Sequence, residues 1–306
     1  MKILLTGADG FTGRHFGQAA RARGHEVMAL QSQLQDAAAL RDEVLATAPD
    51  AVVHLAAISF VGHGDAQALY AVNTVGTTHL LDALCALPRT PQRVLLASSA
   101  NVYGNNPHSP VNEDATPAPL NHYAASKLAM EMMARNYQQR LPITITRPFN
   151  YTGVGQGGQF VIPKIVDHFA RRAPQVLLGN LHVLREYNPV QLVCAAYWHL
   201  LEQAEPGSTW NICSGVTWSL HDVIAQLQAL AGHTLRSEVD PALVRPNELQ
   251  RLSGDPTRLR QSFARHGATW PLNDADPAAD LRALLAGMLK TAELAVSSGT
   301  AAARQP

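Results

Sequence analysis

The chain has 306 residues, 46% of them hydrophobic and 16% charged, and its formal net charge is zero. That length allows two lobes, and the balance excludes the bulk basic charge of a nucleic-acid or anionic-membrane binder. Three scattered cysteines (Cys85, Cys194, Cys213) and 13 dispersed histidines show no CxxC or Cys/His spacing, so neither a metal site nor a disulfide framework is expected.

Residues 2–6 form a short apolar run closed by Gly7, which reads as a buried first strand rather than a signal peptide. A helix is expected over 11–23, stopped by Gly24, then a strand over 26–30. Asp36 caps a helix through about 47, broken by Pro49-Asp50, before a third strand, "AVVHL", at 51–55. A long helix over 67–87, a strand over 93–97, a second long helix over 123–140 and a β-branched strand over 143–146 complete the first half. Strands alternating with helices of this length predict an α/β fold, a Rossmann-type doubly wound parallel sheet. The second half is less regular. Helices are expected over 160–172, 190–203, 220–231 and 278–294, with strands near 176–178 and 210–213. The division is 1–150 as a dinucleotide-binding domain and 151–294 as a smaller C-terminal lobe interleaved with the sheet. The small, polar stretch 295–306 reads as a flexible tail. No apolar run approaches the roughly 20 residues of a spanning helix. The expected protein is soluble and cytoplasmic, without membrane or nucleic-acid partners.

"TGADGFTG" places Gly7, Gly10 and Gly13 directly after the first strand, opening the first helix. A tight turn and missing side chains let a pyrophosphate reach a helix N-terminus, where N–H groups and the dipole favour an anion. The second strand would end in an acid for the adenosine ribose of NAD, or be followed by Arg for NADP. Here it ends Leu30-Gln31-Ser32. Gln31 can bond a hydroxyl without repelling a phosphate, so both NAD and NADP stay open.

Tyr123 and Lys127 lie one helical turn apart and share a face. A lysine ammonium near the phenol favours phenolate, which would let the tyrosine trade a proton nearer neutral pH. Ser99 lies past the fourth strand's C-terminal end, where open α/β sheets bind ligands. Its hydroxyl could hold the same substrate oxygen.

In this order the motifs "TGADGFTG", "HLAA" (54–57), "NTVGT" (73–77), "SSANVYG" (98–104), "YAASK" (123–127) and "RPFN" (147–150) resemble the extended short-chain dehydrogenase/reductases that act on nucleotide sugars. The resemblance implies that Ser99, Tyr123 and Lys127 are the catalytic trio. It implies that Gly7, Gly10, Phe11, Thr12, Gly13, Gln31, Leu55, Ala56, Ala57, Tyr123 and Lys127 line the NAD or NADP site. His54 is read as structural, bonding backbone at a strand end, and Asn73 as a helix-packing amide with a proton relay as the alternative.

Sugar 4,6-dehydratases of this family carry a glutamate two residues beyond the catalytic hydroxyl residue, often after an aspartate, because eliminating water across C5–C6 needs a base and an acid. Those places hold Ala100 and Asn101, which can be neither. Reduction of a ketone, or oxidation with epimerisation, is left.

Beyond residue 150 the resemblance is looser. "NYTGVGQGGQFVIPKI", "LREY", "VRPNEL" and "SGDPTRL" resemble the GDP-mannose 4,6-dehydratases and the reductases that follow them. Together with Ser99, this implies Asn150, Lys164, Arg185, Arg245 and Glu248 as substrate-binding residues, cations at the diphosphate and the carboxylate at the ribose. Pro189 and Leu192 depart from the acids common in this segment. The expectation is NAD(P)H-dependent reduction of the C4 ketone of a GDP-4-keto-6-deoxy-hexose to GDP-D-rhamnose or GDP-6-deoxy-D-talose. A nucleotide-sugar 4-epimerase with tightly held NAD is the alternative, and a non-catalytic Rossmann subunit a remote one. Apolar residues beyond one face of the two long helices (Leu80, Leu81, Leu84; Leu128, Met130, Met132, Met133), and the family resemblance, predict a homodimer.

Overall fold

The computed structural model describes residues 1–59, 64–106, 108–244 and 249–299. In chain order the elements are β1 (Lys2–Thr6), α1 (Phe11–Ala22), β2 (Glu26–Ala29), α2 (Ala37–Thr47), β3 (Ala51–His54), α3 (Ala66–Tyr70), α4 (Thr77–Cys85), β4 (Arg93–Ala97), α5 (His122–Arg135) and β5 (Ile143–Pro148). The second half adds β6 (Tyr151–Thr152), α6 (Val161–Ala170), β7 (Gln175–Leu178), β8 (Leu184–Arg185), β9 (Asn188–Pro189), α7 (Val190–Gln203), β10 (Thr209–Ile212), α8 (Leu220–Ala231), β11 (Arg236–Val239), β12 (Arg251–Leu252), α9 (Thr257–Arg265) and α10 (Pro277–Ser297).

The chain divides into two compact units, each drawn from three stretches: 1–149, 193–212 and 254–270 in the first, the remainder in the second. The first unit holds a six-stranded sheet, in the order β10-β5-β4-β3-β1-β2, with every pair parallel. From β1 the chain winds outward first to β2 and then, past β1, to β3, so the order reverses between β1 and β3. The crevice at the C-terminal ends of those strands is where open sheets of this kind bind ligands. Strand residues such as Val52, Val53, Val94 and Ile145 are buried on both sides of the sheet, which explains their continuous apolar runs. Leu40 and Val44 of α2, Leu80, Leu81 and Leu84 of α4, and Met130 and Ala134 of α5 pack into one core with Val52, Val94 and Ile145. The second unit has a separate core from α6, β7, α8 and α10, including Ile165, Phe169, Leu227 and Leu285.

Local chemistry sets the element ends. The Asp36 carboxylate accepts from Ala39 N–H at 3.0 Å and starts α2. Ser219 and Asp222 form a reciprocal capping box at α8, which ends at Gly232 in the left-handed conformation. The long helix expected over 67–87 is interrupted by a π-helical segment, Ala71–Gly76. The break coincides with Asn73, whose buried amide is turned away to bond Ile58 and Ser126. The helix expected to reach 140 ends at Arg135. Beyond it Asn136, Tyr137 and Gln138 each donate to the carbonyl three residues back, a run of tight turns in place of the α-ladder. Helix α9 was not expected, and α10 runs one turn past 294, to Ser297. Residues 300–306 of the expected tail lie outside the described residues.

Candidate active site

The glycine loop follows β1, and its three glycines do three different jobs. Gly7 has φ of +66°, and a Cβ there would lie 2.8 Å from Ala56 N, so it is the point where the loop after β1 touches the loop after β3. A Cβ on Gly13 would be driven into the Gly7 carbonyl, so that glycine seats α1 against the turn. Gly10 is the N-cap of α1, with extended backbone and no side-chain cap, and the first turn of the helix, where Phe11 and Thr12 stand, contains no acid. An N-terminus built this way suits an anion. These are the features a dinucleotide pyrophosphate needs, so Gly10 and the first turn fit the NAD(P) diphosphate.

The loop 55–57 opposite is fixed by a directional chain of hydrogen bonds. Thr77 Oγ1 donates to the Asn73 carbonyl at 2.8 Å, so it accepts from His54 Nε2, 2.9 Å away. His54 Nδ1 must then accept from Thr6 Oγ1, at 2.7 Å. The Thr6 oxygen in turn accepts from the N–H groups of Leu55 and Ala56 at 3.1 and 3.0 Å. Burial pushes the His54 imidazole down to about 3, with the Lys127 charge acting the same way, so it is neutral. His54 is therefore a structural strut, though its partners are the Thr6 and Thr77 hydroxyls and not the backbone it was expected to bond. Asn73 accepts from Ile58 N–H and donates to Ile58 O and Ser126 Oγ, and Ser126 Oγ donates to the Tyr123 carbonyl. It acts as a packing amide that ties this loop to α5 beneath Tyr123.

Ser99 caps the short 3-10 turn Ala100–Tyr103 that follows β4. Its oxygen accepts from Asn101 N–H at 3.2 Å and from Asn101 Nδ2 at 3.1 Å. Its side chain is also hydrogen-bonded to the Tyr123 phenol. Tyr123 and Lys127 are both buried on α5. Lys127 Nζ donates to the Ala97 carbonyl at 2.8 Å, at the end of β4. The structure thus brings Ser99, Tyr123 and Lys127 to one place.

Their electrostatics differ from the expectation. Burial raises the Tyr123 pKa above the ordinary phenol value, and the Ser99 hydrogen bond opposes it only in part. Burial also lowers Lys127 to about 8, against the raising effect of Glu131. In the chain alone the lysine does not draw the phenol toward phenolate: its ammonium is directed at the Ala97 carbonyl. Tyr123 therefore holds its proton at neutral pH, the form that serves as a general acid.

One element was missed in the sequence. Glu131, one turn beyond Lys127, is fully buried and paired with Arg147 of β5 through Nε at 3.0 Å and Nη2 at 2.6 Å. Ser98 Oγ donates to the same carboxylate. Arg147 Nη1 donates to Tyr103 OH, which donates to Asn211 Oδ1 at 2.7 Å. This network joins α5, the end of β4, β5 and β10. The signal was present as Glu131 at i+4 from Lys127 and as Arg147 in "RPFN".

Gln31 turns its amide back to the Ala29 carbonyl at 3.0 Å. In the second unit, the Asn150 carbonyl accepts from Asn188 N–H, Lys164 Nζ donates to Leu177 O at 2.7 Å, and Arg185 Nη2 donates to Leu249 O at 2.6 Å. Arg185 therefore reaches the residue that follows Glu248 in the chain. Arg245 and Glu248 themselves lie outside the described residues. Glu186, fully buried, accepts from Asn188 Nδ2 and Ser214 N–H, so this acid braces the fold. No group of acidic, His or Cys side chains suited to a metal ion occurs among the described residues.

Residues 29–264 match the family described as GDP-mannose 4,6 dehydratase. The chain belongs to that family. Among its relatives are a GDP-6-deoxy-D-talose 4-dehydrogenase of Aggregatibacter actinomycetemcomitans, 33% identical over 264 residues (85% of this chain, 90% of that protein), and a GDP-6-deoxy-D-mannose reductase of Pseudomonas aeruginosa, 33% identical over 277 residues with the same coverage. The solved structure of RMD from Pseudomonas aeruginosa, complexed with NADPH, is 29% identical, superposes with a TM-score of 0.84, and covers 96% of this chain and 99% of that one. At the two positions after Ser99 this chain has the buried Ala100 and Asn101, whose side-chain amide bonds the serine.

Proposed function

We propose that the protein is a cytoplasmic GDP-sugar 4-ketoreductase that uses NAD(P)H. The observation that carries the reading is the Ser99–Tyr123–Lys127 cluster with Asn101 beside it. It has a proton donor and an oxygen-holding hydroxyl for C4 redox chemistry, and no acid/base for elimination. The two relatives named for redox at C4 of GDP-6-deoxyhexoses support the substrate class. A reduced nicotinamide dinucleotide held at the 7–13 glycine loop and Lys127 would supply the hydride for C4. Tyr123 gives its proton to the developing alkoxide, Ser99 holds that oxygen, and Lys127 would hold the nicotinamide ribose. The product is GDP-D-rhamnose or GDP-6-deoxy-D-talose. Incubation with GDP-4-keto-6-deoxy-mannose and a reduced cofactor, with NMR of the product, tests this. A C4 alcohol of either configuration supports it, and recovery of unreacted ketone contradicts it.

The guanosine diphosphate is read as held by Arg185, Arg245 and Glu248, with Lys164 and Asn150. Glu248→Ala is expected to weaken GDP binding by about 1–3 kcal/mol, the scale for a hydrogen bond to a charged group. KM should rise while kcat stays near its original value, because the contact is uniform between ground and transition states. Calorimetry with GDP, UDP and dTDP checks the base, and tighter UDP or dTDP binding would overturn the GDP assignment.

A homodimer is the expected assembly. Leu80, Leu81, Leu84 and Met130 fill the first unit's own core, which corrects their reading as partner-facing. Exposed apolar residues remain on α5 and on the segment packed against it: Met132 (52% exposed), Met133 (39%) and Val75 (49%). Light scattering at micromolar concentration should give twice the chain mass, and the monomer mass would reject the dimer.

A further inference from the structure

We propose that Glu43 sets the cofactor choice of this chain, favouring the dinucleotide with a free adenosine 2′-hydroxyl over the 2′-phosphorylated form. The proposal rests on reading NAD(P) as the cofactor. In the β1–β2 register Leu5 pairs with Ala29, so the residues after β2 lie alongside the glycine loop. Rossmann-type sites read the adenosine ribose at this strand end, usually with an acid on the strand itself. Gln31 and Ser32 stand there, but a carboxylate reaches the place from α2. Glu43 Oε1 accepts from Gln31 N–H at 2.8 Å, and Oε2 accepts from Ser32 N–H at 2.7 Å and Ser32 Oγ at 2.6 Å.

Two consequences follow for a ligand. The N–H and hydroxyl donors that a phosphate would use are already taken by a carboxylate, and the Gln31 amide is turned to Ala29 O. A 2′-phosphate, carrying nearly two negative charges at neutral pH, would have to displace that carboxylate or sit beside it. A carboxylate offers about four lone-pair sites, and three are used here, so one acceptor site remains for a ribose hydroxyl. Burial acts to raise the Glu43 pKa, but the Ser32 hydroxyl and the two N–H groups outweigh it, so the group is ionised at neutral pH. Arg14, whose guanidinium donates to the Asp9 carbonyl in the glycine loop, is the cation that could act for the phosphate instead.

Calorimetric titration of the full chain with NAD+ and NADP+, for the wild type and Glu43→Gln, tests this. The wild type should bind NAD+ at least about tenfold more tightly, and Glu43→Gln should shrink that ratio by about tenfold, chiefly by tightening NADP+. Equal affinities, or tighter NADP+ binding by the wild type, would overturn the proposal and point to Arg14. Equal weakening of both dinucleotides in the variant would also overturn it, since it would leave Glu43 only a loop-shaping role. Failure of the wild type to bind either would overturn the cofactor reading itself. The wild-type ratio stands as a test even if the variant does not fold.

Discussion

Tyr123→Phe lowers turnover by about 10²–10⁴, the range for loss of a positioned general acid. The phenol is buried, hydrogen-bonded to Ser99 and raised above its ordinary pKa by burial, so it carries a transferable proton across the neutral range. Phenylalanine fills the same volume and removes only the hydroxyl. Binding of the nucleotide sugar should therefore hardly change, and the loss should fall on kcat. Steady-state rates with a parallel GDP titration separate the two. Turnover near that of wild type would remove Tyr123 from the reaction.

The second large effect is structural. Arg147→Met strands the Glu131 carboxylate, which has no solvent exposure and takes two hydrogen bonds from that guanidinium. Removing one partner of a buried ion pair costs about 3–5 kcal/mol, because the remaining charge stays desolvated. For a unit of this size that is a fall in Tm of roughly 10 °C. The double change Glu131→Leu with Arg147→Met replaces both charges by apolar groups and should recover most of the loss. The same double variant should still lose activity, because Glu131 ties the Lys127 turn of α5 to Ser98 at the end of β4. Thermal melts of the single and double variants check the first part. A single variant as stable as wild type would contradict it.

Much of the first unit was legible from sequence because its signals are local. The buried runs at 2–6, 51–54 and 93–97 are short and bounded by breakers, and Asp36 marks the start of α2 by its own hydrogen bond. The interruption at Ala71–Gly76 was not legible, because it depends on Asn73 finding Ile58 and Ser126, the latter 53 residues away. Helix α9 was missed because its inward face is only Leu259, Ser262 and Phe263 among arginines, too thin an apolar stripe to stand out. The site shows the same division. Ser99, Tyr123 and Lys127 could be picked out by spacing and order. The pKa values of Tyr123 and Lys127 could not, since they depend on burial that no spacing reveals. Glu43 was invisible for a related reason: it lies on α2, 12 residues from Gln31, and only the folded turn brings it to the strand end.

The most direct measurement is the stoichiometry of cofactor and product. The protein is mixed with GDP-4-keto-6-deoxy-mannose and NADH or NADPH, the nicotinamide absorbance is followed, and the GDP-6-deoxyhexose formed is counted by NMR. The proposed function predicts one reduced cofactor oxidised for each C4 alcohol formed, with no turnover when cofactor is left out. Interconversion of GDP-hexoses at C4 by the protein as purified, with no net oxidation of added cofactor, would contradict it and make the enzyme an epimerase.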